Sequence, residues 1–276
     1  MAMRAGYALL AADPAEQWYF TDDDLANTPS QTGSEYTSPS EKLISAADEQ
    51  THRARSCAFI HKMVQKLEMH QFVASTACVL FHRFYMRQSM TKFHYYQIAG
   101  ACVLLASKVE ENKRSLKQIA RVCMEVAGKG QTKDAAKDYD TWIRVLKKQE
   151  VVVLENCCFD LEIIHPYRFI DTLAPEFNIP VFVAKAATAH VNDCLRSTVC
   201  LRYRPEVVAV AALYLAISIN GYGFQGSLFA TRAVKLPAGS EREVELCAMD
   251  MLAFYQREAE VERMAQEHHR VQRPST

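Results

Sequence analysis

The chain has 276 residues, 49% of them apolar, and its 32 basic and 32 acidic side chains leave no formal net charge. That length suits one large domain or two smaller ones packed together. The balanced charge argues against nucleic-acid binding through bulk electrostatics. Nine glycines and nine prolines are too few for the tight turns of an all-β chain of this size, so helices are expected. No apolar run reaches membrane-spanning length, and the N-terminus lacks the charged-then-apolar layout of a signal peptide, which together suggest a soluble intracellular chain with no membrane partner.

In chain order, residues 1–48 are mixed. They hold the aromatic cluster Trp18-Tyr19-Phe20, the acidic trio Asp22 to Asp24 and a Ser/Thr/Pro-rich stretch ending near Ser40. From about Glu49 a helical pattern takes over. Phe72, Thr76, Leu80 and Phe84 recur every four residues, one stripe of an amphipathic helix. Ile98, Ala101, Cys102, Leu105 and Val109 mark another helix, whose remaining faces are also apolar, the pattern of a helix buried all round. Ser115 with Gln118 reads as a capping box. Gly128 to Asp138 reads as a loop, and a long helix runs from about Tyr139 to Asn156. That makes five helices. A second set is expected over 166–174, 181–198, 205–219 and about 241–261, with Pro166 and Pro180 as helix-start residues. The charged tail beyond Val261 is expected to fray.

The two sets are related by a repeat. Sliding the chain by 110 residues lays Phe72-Val73-Ala74 on Phe182-Val183-Ala184, and Ala99, Ala101, Leu105 and Ala106 on Ala209, Ala211, Leu215 and Ala216. So long a period signals duplication of a whole unit. The match fades past residue 220, which implies two stacked five-helix units, the second degraded.

Most candidate chemistry has an ordinary explanation. The nine cysteines form no C-x-x-C pair, and most lie in apolar stretches, where a thiol serves as a small hydrophobe. Gly221-Tyr-Gly-Phe-Gln-Gly226 spells a phosphate-cradling pattern but follows a helical run rather than a strand, so it reads as a loop closing a helix. The nine histidines are scattered, with no nucleophile paired to any of them. No catalytic residue, cofactor or metal site is assigned. Thr28-Pro29 and Ser38-Pro39 read as turns or as kinase sites. Lys108, ending an all-apolar helix, and Glu150, opening the run Val151-Val-Val-Leu154, are charges set beside a core. Such charges pair internally, sit on a solvated edge, or face a partner.

Several segments in order resemble the cyclin family, most closely its transcriptional T and K types. Leu104-Leu-Ala-Ser-Lys108-Val-Glu-Glu111 is similar to the third-helix motif of the cyclin box, and Glu150 to Leu161 resembles its fifth-helix motif. His82-Arg-Phe-Tyr-Met86 resembles the second-helix motif. Trp18-Tyr-Phe-Thr with Thr28-Pro-Ser, and His165-Pro-Tyr167, resemble features of the T and K subgroup. The resemblance spans roughly residues 18–220. It implies an all-α fold of two tandem five-helix cyclin boxes, the second degenerate, after a short N-terminal helical segment. The corresponding divisions are 1–48, 49–160, 161–262 and a disordered tail over 263–276. It further implies a nuclear, non-enzymatic subunit that binds and activates a transcriptional cyclin-dependent kinase and promotes phosphorylation of the RNA polymerase II tail. In the family a Lys–Glu pair, matched here by Lys108 and Glu150, hydrogen-bonds backbone around the kinase's regulatory helix. Leu104, Glu111 and Phe159 match further kinase contacts. Other readings are a general transcription factor core that binds DNA through the same boxes, and a C- or L-type cyclin with another kinase.

Overall fold

The computed structural model describes residues 14–33, 42–128, 135–223, 226–230, 234, 236 and 239–271. A 3-10 turn over Pro14–Trp18 leads into two short helices, α1 (Asp22–Ala26) and α2 (Pro29–Thr32). Thr21 caps α1: its hydroxyl accepts from the Asp24 N–H while the Asp24 carboxylate accepts from the Thr21 N–H. Five helices follow: α3 (Ala46–Lys66), α4 (Gln71–Phe84), α5 (Tyr95–Val109), α6 (Leu116–Val126) and α7 (Ala135–Asn156). The expected capping box is present, with Ser115 and Gln118 satisfying each other's backbone N–H groups at the start of α6. Helix α7 opens one turn earlier than its apolar pattern does, and residues 129–134 of the expected loop lie outside the described residues.

The all-round apolar helix is the axis of this set. Every residue of α5 from Ile98 to Ser107 is buried, and α3, α4, α6 and α7 pack against it. Closeness explains Gly100. A Cβ there would lie 2.9 Å from Cys123 Sγ on α6 and 3.0 Å from Leu146 on α7. Seven of the nine cysteines are buried, five of them (Cys57, Cys78, Cys102, Cys123 and Cys157) in this set.

The second set comprises α8 (Tyr167–Glu176), α9 (Val181–Cys194), the short α10 (Val199–Arg202), α11 (Pro205–Ile219) and α12 (Ser240–Val271). The 110-residue offset holds end to end: α4 maps onto α9 and α5 onto α11 at both their first and last residues. Helix α11 is buried along most of its length and packs on α8, α9 and α12, as α5 packs on α3, α4 and α7. Opposite α6 the offset falls on 226–236, where the described residues contain only a 3-10 turn, Leu228–Ala230. That is the place where the sequence match fades.

Two expectations about helix ends are revised. Pro166 and Pro180 sit at the N-cap rather than in the first turn, which in the second set Pro205 occupies. Helix α12 does not end near Val261 but continues to Val271. The stretch lacks glycine and proline, and six of its ten residues from Glu262 to Val271 are Glu, Arg, Ala or Gln, good helix formers whatever they pack against. Gly221 ends α11 with φ +60°, a helix-closing role, and Phe224 and Gln225 lie outside the described residues. Pro29 starts α2, and Thr28 before it is buried, donating to Glu49 Oε2 at 2.5 Å. Ser38 and Pro39 lie outside the described residues.

The N-terminal segment straps the two sets together. Trp18 is fully buried, donates from Nε1 to Asp160 Oδ2 at 2.6 Å, and has the guanidinium groups of Arg83 and Arg87 over its ring at 4.7 and 4.8 Å. Two residues on, the Phe20 N–H donates to the Leu201 carbonyl. Ion pairs Glu16–Arg204 and Asp22–Arg202 continue the attachment to the second set.

Candidate kinase-docking face

Lys108 lies in the last turn of α5 and Glu150 two-thirds of the way along α7. The close approach of these helices brings their side chains together, Nζ to Oε1 at 2.5 Å. The lysine side chain is 49% exposed and the glutamate 18%, so the pair sits at the edge of the core with hydrogen-bonding capacity left over. In an open site this geometry adds little to folding, at most about 1 kcal/mol. A partner that covers it would meet a donor and an acceptor already oriented.

The backbone next to the pair is held in unusual conformations. Glu111, just beyond α5, has φ +51°, and its side chain is exposed. At the end of α7, Cys158 and Phe159 have φ +55° and +57°, and two N–H groups turn back to carbonyls of the last turn. Left-handed backbone is disfavoured for side chains larger than glycine. At Phe159 it presents a large ring outward, 66% exposed.

The five sequence candidates therefore fall into two groups. Lys108, Glu150, Glu111 and Phe159 all reach the surface, whereas Leu104, one turn before Lys108, is buried at 3% exposure and acts mainly as packing beneath the face. The structure adds Val151, 51% exposed beside Glu150. Its signal was present in Val151-Val152-Val153, because three successive helical residues point about 100° apart and cannot all face one core. Val153 is the one fully buried. Among the described residues no group of three His, Cys, Asp or Glu side chains is placed to hold a metal.

Residues 28–162 match the family described as Cyclin, N-terminal domain. The chain belongs to the cyclin family. This cyclin is 35% identical over 208 residues to Cyclin pch1 of Schizosaccharomyces pombe, an alignment covering 74% of this chain and 58% of that protein. It is 32% identical over 203 residues to human Cyclin-K, covering 72% of this chain and 33% of that one. With Cyclin-T1-1 of Oryza sativa subsp. japonica the identity is 32% over 217 residues, covering 75% and 46%. The chain thus spans between a third and three-fifths of these relatives' length. Its fold is that of a chain in the crystal structure of the yeast RNA Pol II CTD kinase CTDK-1 complex, with a TM-score of 0.70 at 16% identity, covering 86% of this chain and 72% of that one. A chain of the yeast TFIIK (Kin28/Ccl1/Tfb3) complex also matches, with a TM-score of 0.62 at 18% identity, covering 85% and 96%. The matched family region ends at residue 162, in the linker before the second helical set begins at Tyr167.

Proposed function

We propose that this cyclin is the regulatory subunit of a transcriptional cyclin-dependent kinase. It acts in the nucleus, and the assembled kinase phosphorylates the C-terminal tail of RNA polymerase II. The observation that carries this reading is the Lys108–Glu150 pair, held 2.5 Å apart at the edge of the first helical set with exposed Val151 next to Glu150. Relatives named Cyclin-K and Cyclin-T support the transcriptional assignment, as does a fold shared with chains of two kinase complexes. The two helical sets are proposed to be tandem cyclin boxes over 49–160 and 161–262, the second degenerate.

The chain supplies no reacting group in this mechanism. Exposed apolar side chains, Phe159 and Val151, give burial energy on docking, and Lys108, Glu150 and Glu111 fix the register through charge-assisted hydrogen bonds. Leu104 supports the face from beneath. Docking favours the kinase conformation in which its regulatory helix lies inward and its own Glu pairs with the ATP-positioning Lys. Activation is a population shift driven by binding.

The test is kinase activity on a polymerase-tail peptide, recovered from nuclear extract with the wild-type chain, Lys108→Ala and Glu150→Ala. Activity is expected with wild type and is expected to fall at least about tenfold in both variants, since truncating one partner of a covered charge pair costs about 2 kcal/mol or more. Both variants are expected to unfold within about 1 kcal/mol of wild type, because the pair sits at the solvent edge and not in the core. Activity unchanged in both would reject the docking face, and its absence with wild type would reject the kinase assignment.

A further inference from the structure

The turn that ends α7 is closed by two hydrogen bonds. The Phe159 N–H donates to the Leu154 carbonyl at 3.0 Å, and the Cys158 N–H to the Glu155 carbonyl at 3.1 Å. Helices that end in this pattern usually carry glycine just past the cap, because that residue takes a left-handed φ. Here the place is filled by Cys158 at φ +55°, and Phe159 follows at +57°. Among the described residues no other two neighbouring non-glycine residues both have positive φ. Side chains disfavour this conformation, so it persists where groups outside the turn over-determine it.

Those outside groups come from the N-terminal strap and the C-terminal end of α4. After Phe159, Asp160 Oδ2 accepts from Trp18 Nε1 at 2.6 Å, and the Asp160 carbonyl accepts from Arg83 Nη1 at 3.4 Å. Before Phe159, Cys158 Sγ accepts from Arg87 Nη1 at 2.8 Å, and Arg87 Nη2 donates to Gln17 Oε1 of the strap at 3.4 Å. Both guanidinium groups lie over the Trp18 ring, so one buried indole supports both arms. The two neighbours of Phe159 are thus tied down while its own ring is 66% exposed. Anchoring the strap would need only the buried indole. The indole N–H and Arg87 are in addition aimed at the two residues that flank Phe159.

We propose that Trp18 and Asp160 are positioning residues for kinase docking: their hydrogen bond holds Cys158 and Phe159 in the left-handed turn and so presents the Phe159 ring to the kinase. The proposal rests on the docking face described above. Neither residue has to touch the kinase. They act by raising the fraction of the free chain in which Phe159 is already presented, and a partner's apparent affinity scales with that fraction. The strap then has a second role beside joining the two helical sets, because its anchor sets the shape of the first set's docking edge.

The test is a double-mutant cycle on the full chain, with two readouts. One is the concentration of chain needed for half-maximal recovery of polymerase-tail kinase activity from nuclear extract. The other, taken on the free chain, is the backbone chemical shifts of Phe159, which report its φ. Asp160→Ala is expected to raise the half-maximal concentration about tenfold, the worth of a hydrogen bond to a charged group, and to move the Phe159 shifts away from left-handed values. Asp160→Asn keeps an acceptor for the indole and is expected to restore both readouts. In a Phe159→Ala chain, itself weakened, Asp160→Ala is expected to add no further loss, because the residue acts through Phe159. Should Asp160→Ala fail to fold, Trp18→Phe removes the same donor while keeping a ring, and the same cycle is expected. An equal further loss in the Phe159→Ala chain, or Phe159 shifts that stay left-handed in Asp160→Ala, would overturn the proposal. Phe159→Ala without any loss of recovery would instead reject the place of Phe159 in the docking face, and the positioning role with it.

Discussion

His165 joins the two halves of the molecule through one ring, and its burial makes a pH prediction. Its ordinary pKa of about 6.5 falls to about 4 in the folded chain, first through desolvation and then through the nearby Arg83 charge. Between those values the unfolded chain binds a proton that the folded chain refuses. The stabilising contribution is therefore complete above about pH 6.5 and is lost as pH falls toward 4, at up to about 1.4 kcal/mol per pH unit. Urea unfolding at pH 7.5 and pH 5 is expected to show a larger acid loss for wild type than for His165→Gln. Equal acid sensitivity would mean that the ring is protonated in the fold. Lys108 and Glu150 stand out in the sequence because each is a charge beside an apolar run, but only the resemblance to cyclins pairs them with each other. His165 and Trp18 were not legible as contacts, because their partners lie far away in the chain: Thr76 is 89 residues from His165, and Asp160 is 142 from Trp18. No local pattern encodes such pairings.

Helix α5 shows what a short pattern does encode. Its unbroken apolar composition placed it at the centre of a bundle, and the structure surrounds it with four helices. The glycine in its second turn is explained only by the neighbours. Gly100→Ala raises helix propensity by about 1 kcal/mol, but the added methyl would overlap Cys123 Sγ and Leu146, and overpacking of this kind costs about 1–3 kcal/mol. The Cys123 and Leu146 contacts come from two helices that would both have to retreat, so the packing cost is expected to win, by about 1 kcal/mol. Chemical denaturation of the Gly100→Ala chain checks this, and a variant as stable as wild type would show that α6 and α7 yield easily. Helix α12 was misjudged from the opposite cause. Its last three turns carry many charges and no apolar stripe, so periodicity was silent there while intrinsic propensity continued the helix.

At the scale of the whole molecule, the 110-residue repeat made the pairing of α4 with α9 and α5 with α11 readable, but it said nothing of how the two sets are held together. The N-terminal strap does that, and Trp18 is its anchor. Replacing it with Ala removes an indole that is 1% exposed, its hydrogen bond to Asp160 and two cation–π contacts. Truncating so buried an aromatic costs about 3–5 kcal/mol. The loss should not spread evenly, because the strap touches the first set at Arg83, Arg87 and Asp160, and the second at Leu201, Arg202 and Arg204. Helix α5 packs chiefly on α3, α4 and α7 and α11 on α8, α9 and α12, so each helical set is expected to keep its own axis when the strap detaches. Hydrogen exchange on Trp18→Ala is accordingly expected to show lost protection at the Phe20 amide, whose acceptor is the Leu201 carbonyl, with the interior amides of α5 and α11 still slow. Uniform acceleration that includes α5 would show instead that the strap and both sets unfold as one cooperative unit, and that the junction is part of the core rather than a clasp laid across it.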